Sequence, residues 1–166
     1  MPAAVRRAAW LTKQTEVKQL RIRGFRPSDT EALVALWSAS GLTKPWNDPH
    51  RDIARKQSVQ PELFVVAVND DDLVIGGVMA GYDGHRGWMN YLVASPDARG
   101  IGVGRALVEH VERKLLKMGC PKVNLQVRSS NARVVEFYQH LGYTVDDTID
   151  LGKRLFVDSP PSTVEQ

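Results

Sequence analysis

Arg99-Gly100-Ile101-Gly102-Val103-Gly104 follows the apolar run Tyr91-Leu92-Val93-Ala94 and opens an amphipathic segment from Arg105 to Met118. A glycine-rich turn between a strand and a helix is a place to hold phosphate. Glycine lets the backbone approach a ligand, and the first helical N–H groups have no partner within the helix. The helix dipole adds partial positive charge at the same point. The spacing narrows the ligand. A Walker loop ends in Lys and then Ser or Thr, and no Lys follows these glycines. A dinucleotide fingerprint has a third glycine where this chain has Arg105. Taken alone, the glycines also fit an ordinary strand–helix turn that uses glycine for tight packing.

The 166 residues suit one domain with a real core. An apolar share of 43% and a charged share of 25% fit a globular chain in water. No window approaches the roughly 18 apolar residues of a membrane span, which argues against a membrane partner. Arg6 and Arg7 precede no apolar h-region, so no signal peptide is read and a cytoplasmic location is expected. The single Cys120 cannot form an internal disulfide, which fits a reducing compartment. It reads as a small packing residue. Arg6, Arg7, Lys13 and Lys18 against Glu16 place the whole net charge of +3 in residues 1–18. The rest of the chain is balanced, and no basic face interleaved with aromatics points to nucleic acid.

The hydrophobic pattern gives the order of elements. Gln19 to Gly24 reads as a strand. Ser28 and Glu31 have capping-box spacing ahead of a helix striped by Leu33, Leu36 and Trp37 and ended by Gly41. Asp48-Pro49 is an N-cap with Pro at the first helical position, and a short helix runs to about Ser58. Strands follow at Glu62–Val68, Leu73–Tyr82 and Trp88–Ala94, joined by turns at Asn69–Asp72 and Asp83–Gly87. Gly76-Gly77 suggests a bulge or twist. The helix after the glycine loop carries Leu107, Val108, Val111, Leu115 and Met118 on one face, with Gly119 as its stop. Lys122–Val127 is a strand. Asn131–Leu141 is a helix striped by Val134, Phe137, Tyr138 and Leu141. Tyr143–Val145 and Leu151–Phe156 are expected to finish the sheet. One domain is expected over residues 19–157, after a basic flexible extension at 1–18 and before a flexible tail at 158–166.

Arg99, Gly102 and Gly104, in the pattern Arg-x-x-Gly-x-Gly, together with this β-α-α-β-β-β-α-β-α-β-β order, resemble the GNAT superfamily of N-acetyltransferases. The resemblance covers about residues 19 to 157. Pro45-Trp46-Asn47-Asp48-Pro49, Tyr82-Asp83-Gly84-His85-Arg86-Gly87, Gly119-Cys120-Pro121-Lys122 and Leu151-Gly152-Lys153-Arg154-Leu155 resemble the small bacterial YpeA-like branch. The resemblance implies an α/β (α+β) fold. Its sheet is mixed, mostly antiparallel and twisted, is flanked by about four helices, and splays after the fourth strand. It implies acetyl-CoA as co-substrate and a primary amine as acceptor, small molecule or peptide, with no metal. A homodimer is common in this fold, and nothing in the chain decides it.

The same resemblance assigns roles. Backbone N–H groups of Arg99, Gly100, Ile101, Gly102, Val103, Gly104 and Arg105 would wrap the CoA pyrophosphate. Leu92, Val93 and Ala94 would pair with the pantetheine arm, and the amide of Leu92 or Val93 would polarise the thioester oxygen. Asn131 would contact the CoA arm, a role compatible with capping its helix. Tyr138 would be the general acid for the leaving thiolate. A phenol near ~10 keeps its proton at neutral pH and can protonate a thiolate whose thiol titrates near ~8.5. Its bland alternative is a core tyrosine. Trp46, Asn47, Tyr82 and Asp83 would line the acceptor pocket. No carboxylate stands in Trp88-Met89-Asn90-Tyr91, so the base is open among Asp48, Asp83, His85, Glu136 and a water relay. The same gap motivates an alternative, an acyl-CoA-binding regulatory module with little turnover.

Overall fold

The computed structural model describes residues 19–158. Among them, five strands form one sheet in the order β1-β2-β3-β4-β5. They are β1 (Arg21–Gly24), β2 (Phe64–Val68), β3 (Val74–Tyr82), β4 (Gly87–Ala94) and β5 (Val123–Leu125). The first four pair antiparallel and β5 joins β4 in parallel. Four helices cover the sheet: α1 (Thr30–Ala39), α2 (Pro49–Ser58), α3 (Val103–Lys117) and α4 (Ala132–His140).

Side-chain alternation along the strands sorts the core into two layers. Leu63, Val65, Ala67, Val78 and Met89 pack with Leu107, Val108, Val111 and Leu115 of α3 and Tyr138 of α4. Phe64, Val66, Val68, Met79 and Val93 pack with Leu33 and Trp37 of α1 and Ile53 of α2. Gly76 and Gly77 serve these two layers in turn. A Cβ on Gly76 would lie 2.7 Å from both a Val103 methyl and the Val93 carbonyl oxygen. One on Gly77 would lie 2.8 Å from a Leu33 methyl on the other face. The pair is there for close helix approach.

Several sequence expectations give way. The Ser28–Glu31 capping box does not start α1. A 3-10 turn at Pro27–Asp29 leads in, and the Asp29 carboxylate accepts the Arg26 N–H at 2.8 Å. Met118 falls past the end of α3 and is 40% exposed. The strand expected over Lys122–Val127 is three residues long. Tyr143–Val145 and Leu151–Phe156 form no strand. The physical reason is where the segment goes. β5 offers only a short edge, and the chain crosses instead to α2. There the Asp158 carboxylate accepts from Arg55 and from the Asp48 N–H, and Arg154 reaches Asn47 Oδ1 at 3.2 Å. Leu151 and Leu155 are left exposed. Asp158, placed by sequence in the tail, is thus buried and bonded. The remaining tail and residues 1–18 lie outside the described residues.

Candidate active site

Three features of β4 define the site. The first is a bulge. Gly77 faces Val93 and Met79 faces Asn90, so Tyr91 and Leu92 together oppose the single residue Val78. Tyr91 takes φ +56° there, a left-handed conformation that bulky residues rarely adopt. Such strain collects where a site needs it.

The second is the splay. Pairing of β4 with β5 stops at Met89 and Leu125, so Asn90 to Ala94 have no strand on that side. Ser95 N–H donates to Ile75 O at 2.7 Å across β3. Bonding direction alternates along a strand. Counting back, the Val93 N–H is turned to β3 and the Leu92 N–H is turned into the open gap. Of the two amides left open by sequence, this alternation turns that of Leu92 away from β3.

The third is the loop that β4 feeds. Ser95 caps a 3-10 turn at Pro96–Ala98 through the Asp97 N–H. Gly100 and Gly102 follow at φ +82° and +77°, and a Cβ on either would meet nothing within 4 Å. These two glycines are there for conformation, with open space in front of them. Ala106 N–H is already bonded to Gly102 O, so Val103, Gly104 and Arg105 carry the orphan N–H groups of α3. No acidic residue stands in that first turn, although the dipole favours one. Arg105 stands there instead. Unlike the loop glycines, Gly104 faces the ring of Phe137 on α4, 3.1 Å from where a Cβ would be. These features fit a bound pyrophosphate.

On the α3/α4 face, Tyr138 is 7% exposed. It meets Phe137 and Tyr143 edge-on, with centroids 5.1 and 5.4 Å away. Burial alone pushes its phenol up to about 12. Leu92 packs against the same cluster. Tyr138 also lines an open groove of about 1150 Å³ that runs past Leu125, Val127 and Tyr143. That groove borders the uncovered edge of β5 and does not include the glycine loop. Asn131 is the N-cap position of α4, yet its side chain makes no capping bond. Its exposed amide is therefore not committed to the helix.

The four expected acceptor residues divide into two pairs. Trp46 and Asn47 precede α2, with Arg154 stacked over the Trp46 ring at 5.1 Å. Tyr82 and Asp83 lie at the β3–β4 hairpin. Tyr82 is opposite Gly87, so about 13 Å of strand at ~3.3 Å per residue separates that end from Tyr91. The Tyr82 hydroxyl bonds Gly84 and Gly119 carbonyls. Asp83 accepts N–H bonds from Arg86 and His85, which hold its carboxyl below the usual range. Asp48 caps α2 through His50 and Arg51 N–H groups. His85 and Glu136 are exposed.

Sequence reading missed one pair on the α1/α2 face. The Tyr91 hydroxyl donates to Asp52 Oδ2 at 2.7 Å, and the Tyr91 ring stacks on Trp37 at 4.3 Å. Burial, then the Asp52 carboxylate, push the Tyr91 phenol up to about 12. Asp52 sits on an amphipathic helix among His50, Arg51 and Arg55, a pattern that reads as a solvated face. No sequence signal joins it to β4.

A mixed sheet with a bulged, splayed fourth strand and a glycine loop at a helix start is the architecture of acyl-CoA-type acyltransferases. The acetyltransferase (GNAT) family matches residues 30–143, and the chain belongs to that family. A Yersinia enterocolitica protein named an acetyltransferase is 49% identical over 139 residues, covering 84% of this chain and 98% of that protein. A Pectobacterium atrosepticum acetyltransferase is 49% identical over 140 residues, with the same coverage of both chains. Among solved structures, the Ard1 protein of Thermoplasma volcanium aligns with TM-score 0.69 at 24% identity, covering 76% of this chain and 84% of that one. A Chaetomium thermophilum protein crystallised with a bisubstrate analogue aligns with TM-score 0.63 at 25% identity, covering 75% and 71%. Among the described residues no helix is long and apolar enough to cross a membrane.

Proposed function

We propose that this acetyltransferase moves the acetyl group of acetyl-CoA to a primary amine by direct attack within a ternary complex. The observation that carries the reading is the Tyr91–Leu92 bulge, which leaves the Leu92 N–H facing an open gap in the sheet. Negative charge builds on the thioester oxygen as the amine adds, and a fixed N–H aimed at that point lowers the barrier. The N–H groups from Arg99 to Arg105 hold the pyrophosphate. Leu92 to Ala94 pair with the pantetheine arm, and Asn131 contacts it. Tyr138 gives its proton to the leaving thiolate. Its phenol has no better partner in its apolar surroundings and stays protonated at neutral pH.

The bisubstrate analogue bound by the Chaetomium relative supports a mechanism in which both substrates are held at once. The local signatures around Trp46, His85, Cys120 and Lys153 support placement in the YpeA-like branch, and a cytoplasmic setting fits the lone cysteine. Trp46 and Asn47 stand where an acceptor could enter from the α2 side. Tyr82 and Asp83 border the site only at its far end.

Thiol release from acetyl-CoA across peptides with free N-termini, lysine peptides, amino acids, polyamines and aminoglycosides tests the reading. Release with one class, cut at least tenfold in Tyr138→Phe, is expected. CoA binding with no release from any amine would overturn it in favour of a regulatory acyl-CoA-binding module.

A further inference from the structure

We propose that Asp52 receives the acceptor's ammonium group and takes its proton, with Tyr91 positioning the carboxylate beside the bulge. This rests on the reading of the chain as an amine acetyltransferase, and it names the group that reading lacks.

Tyr91 is bonded to Asp52 and immediately precedes Leu92, whose amide faces the gap. The carboxylate is therefore tied to the residue next to the one placed to polarise the thioester. The tie is rigid. The Tyr91 ring is stacked on Trp37, which is fully buried, and the backbone beneath it is locked at φ +56°. Trp37 Nε1 is buried without a hydrogen-bond partner, an uncompensated donor beneath this cluster of the kind that marks a site. The Asp52 side chain keeps 18% of its surface exposed, so a small cation can reach it.

Each Asp52 oxygen has one partner, Tyr91 on Oδ2 and Arg55 on Oδ1, and a carboxylate oxygen can accept a further bond. Arg55 Nη1 approaches Asp52 Oδ1 at 2.8 Å, but the same guanidinium is shared with Asp158 through both terminal nitrogens. The rival carboxylates are placed otherwise: Asp48 caps α2, Asp83 closes a turn, and Glu136 is exposed on α4. The charged groups around the pair are Asp48, His50, Arg51 and Arg55 on α2, Glu31 on α1 bonded to His50 at 3.0 Å, and Asp158 from the C-terminal segment.

The step balances simply. The ammonium N–H proton passes to the Asp52 carboxylate, leaving a neutral amine. The amine nitrogen forms a C–N bond with the thioester carbonyl carbon, the C–S bond breaks, and the thiolate takes the Tyr138 proton. The second proton that the nitrogen sheds in becoming an amide passes to solvent, and the Tyr138 phenolate takes one back from solvent. Help is needed for a lysine-type amine, which titrates near ~10.4, whereas an α-amine near ~8 hardly needs it.

The test titrates n-butylammonium into CoA-saturated protein and, in parallel, follows turnover against pH with the best amine of the panel. Asp52→Asn should weaken n-butylammonium at least tenfold, with CoA affinity and melting temperature unchanged. Its kcat/KM for the amine should fall at least tenfold at neutral pH and recover as pH approaches the amine's own pKa. Asp52→Glu should restore part of both. Tyr91→Phe keeps the ring on Trp37 and should shift the pH limb while sparing CoA affinity. Should Asp52→Asn leave both the amine affinity and the pH profile unmoved in an active enzyme, the inference falls and the acetyltransferase reading stands. A wild type that turns over no amine yet binds n-butylammonium through Asp52 would keep the site and sink the turnover reading. Neither binding nor turnover would sink both.

Discussion

Tyr138 and Tyr91 stand on opposite faces of the sheet, and each phenol is pushed up to about 12. The causes differ. Tyr138 is raised by burial alone, whereas Tyr91 has burial and a carboxylate that accepts its proton. Tyr138 therefore holds a proton with no fixed recipient, which suits an acid that gives it to a leaving group. The Tyr91 proton is already committed to Asp52. The bulge in β4 separates the two environments by turning Leu92 to one layer and Tyr91 to the other.

The sharpest way to break this contrast is to remove one hydroxyl. Tyr138→Phe should lower kcat by on the order of 10² or more while leaving CoA affinity and melting temperature nearly unchanged, because no bond to that hydroxyl is lost. Single-turnover kinetics and calorimetry check both halves.

The two glycines of β3 probe the layers structurally. Gly76→Ala drives a methyl against the Val93 backbone carbonyl as well as Val103, and should cost about 3 kcal/mol by denaturant unfolding. Gly77→Ala meets mainly a flexible Leu33 side chain and should cost about 1 kcal/mol. Equal costs would show that the α1 layer is as unyielding as the α3 layer.

Gly102→Ala has room for its methyl but not the backbone freedom. About 1 kcal/mol of left-handed strain is expected, together with weaker CoA binding and little change in kcat at saturation. Smallest of all is the expected alkaline response of the acid. Since Tyr138 holds its proton until about 12, its ionisation should cause no loss of kcat between pH 7 and 10. A fall in that window that disappears in Tyr138→Phe would show a phenol less buried than described.

The glycine loop and α3 were legible in sequence because spacing and a helical stripe encode them locally. The roles proposed for Asn131 and Tyr138 rest on resemblance to a family and on no local pattern. The Tyr91 conformation was not legible, since an aromatic residue in a strand gives no hint of positive φ, and the bulge in which it sits depends on pairing with β3. Asp52 was hidden for a related reason: its partner is 39 residues away and its own helix face looks solvated. Leu151–Phe156 was misread because apolar alternation marks a segment able to pair, while a strand also needs an edge to pair with. Here Arg55 and the Asp48 N–H draw Asp158 to α2 instead.

Residue-resolved hydrogen exchange along β4, with and without acetyl-CoA, tests the central claim most directly. In the free protein the Val93 amide should be protected and the Leu92 amide should exchange at least tenfold faster, with acetyl-CoA then slowing Leu92 and leaving Val93 as it was. A Leu92 amide already protected in the free protein, or one that acetyl-CoA leaves fast, would contradict the placement of the thioester at the bulge.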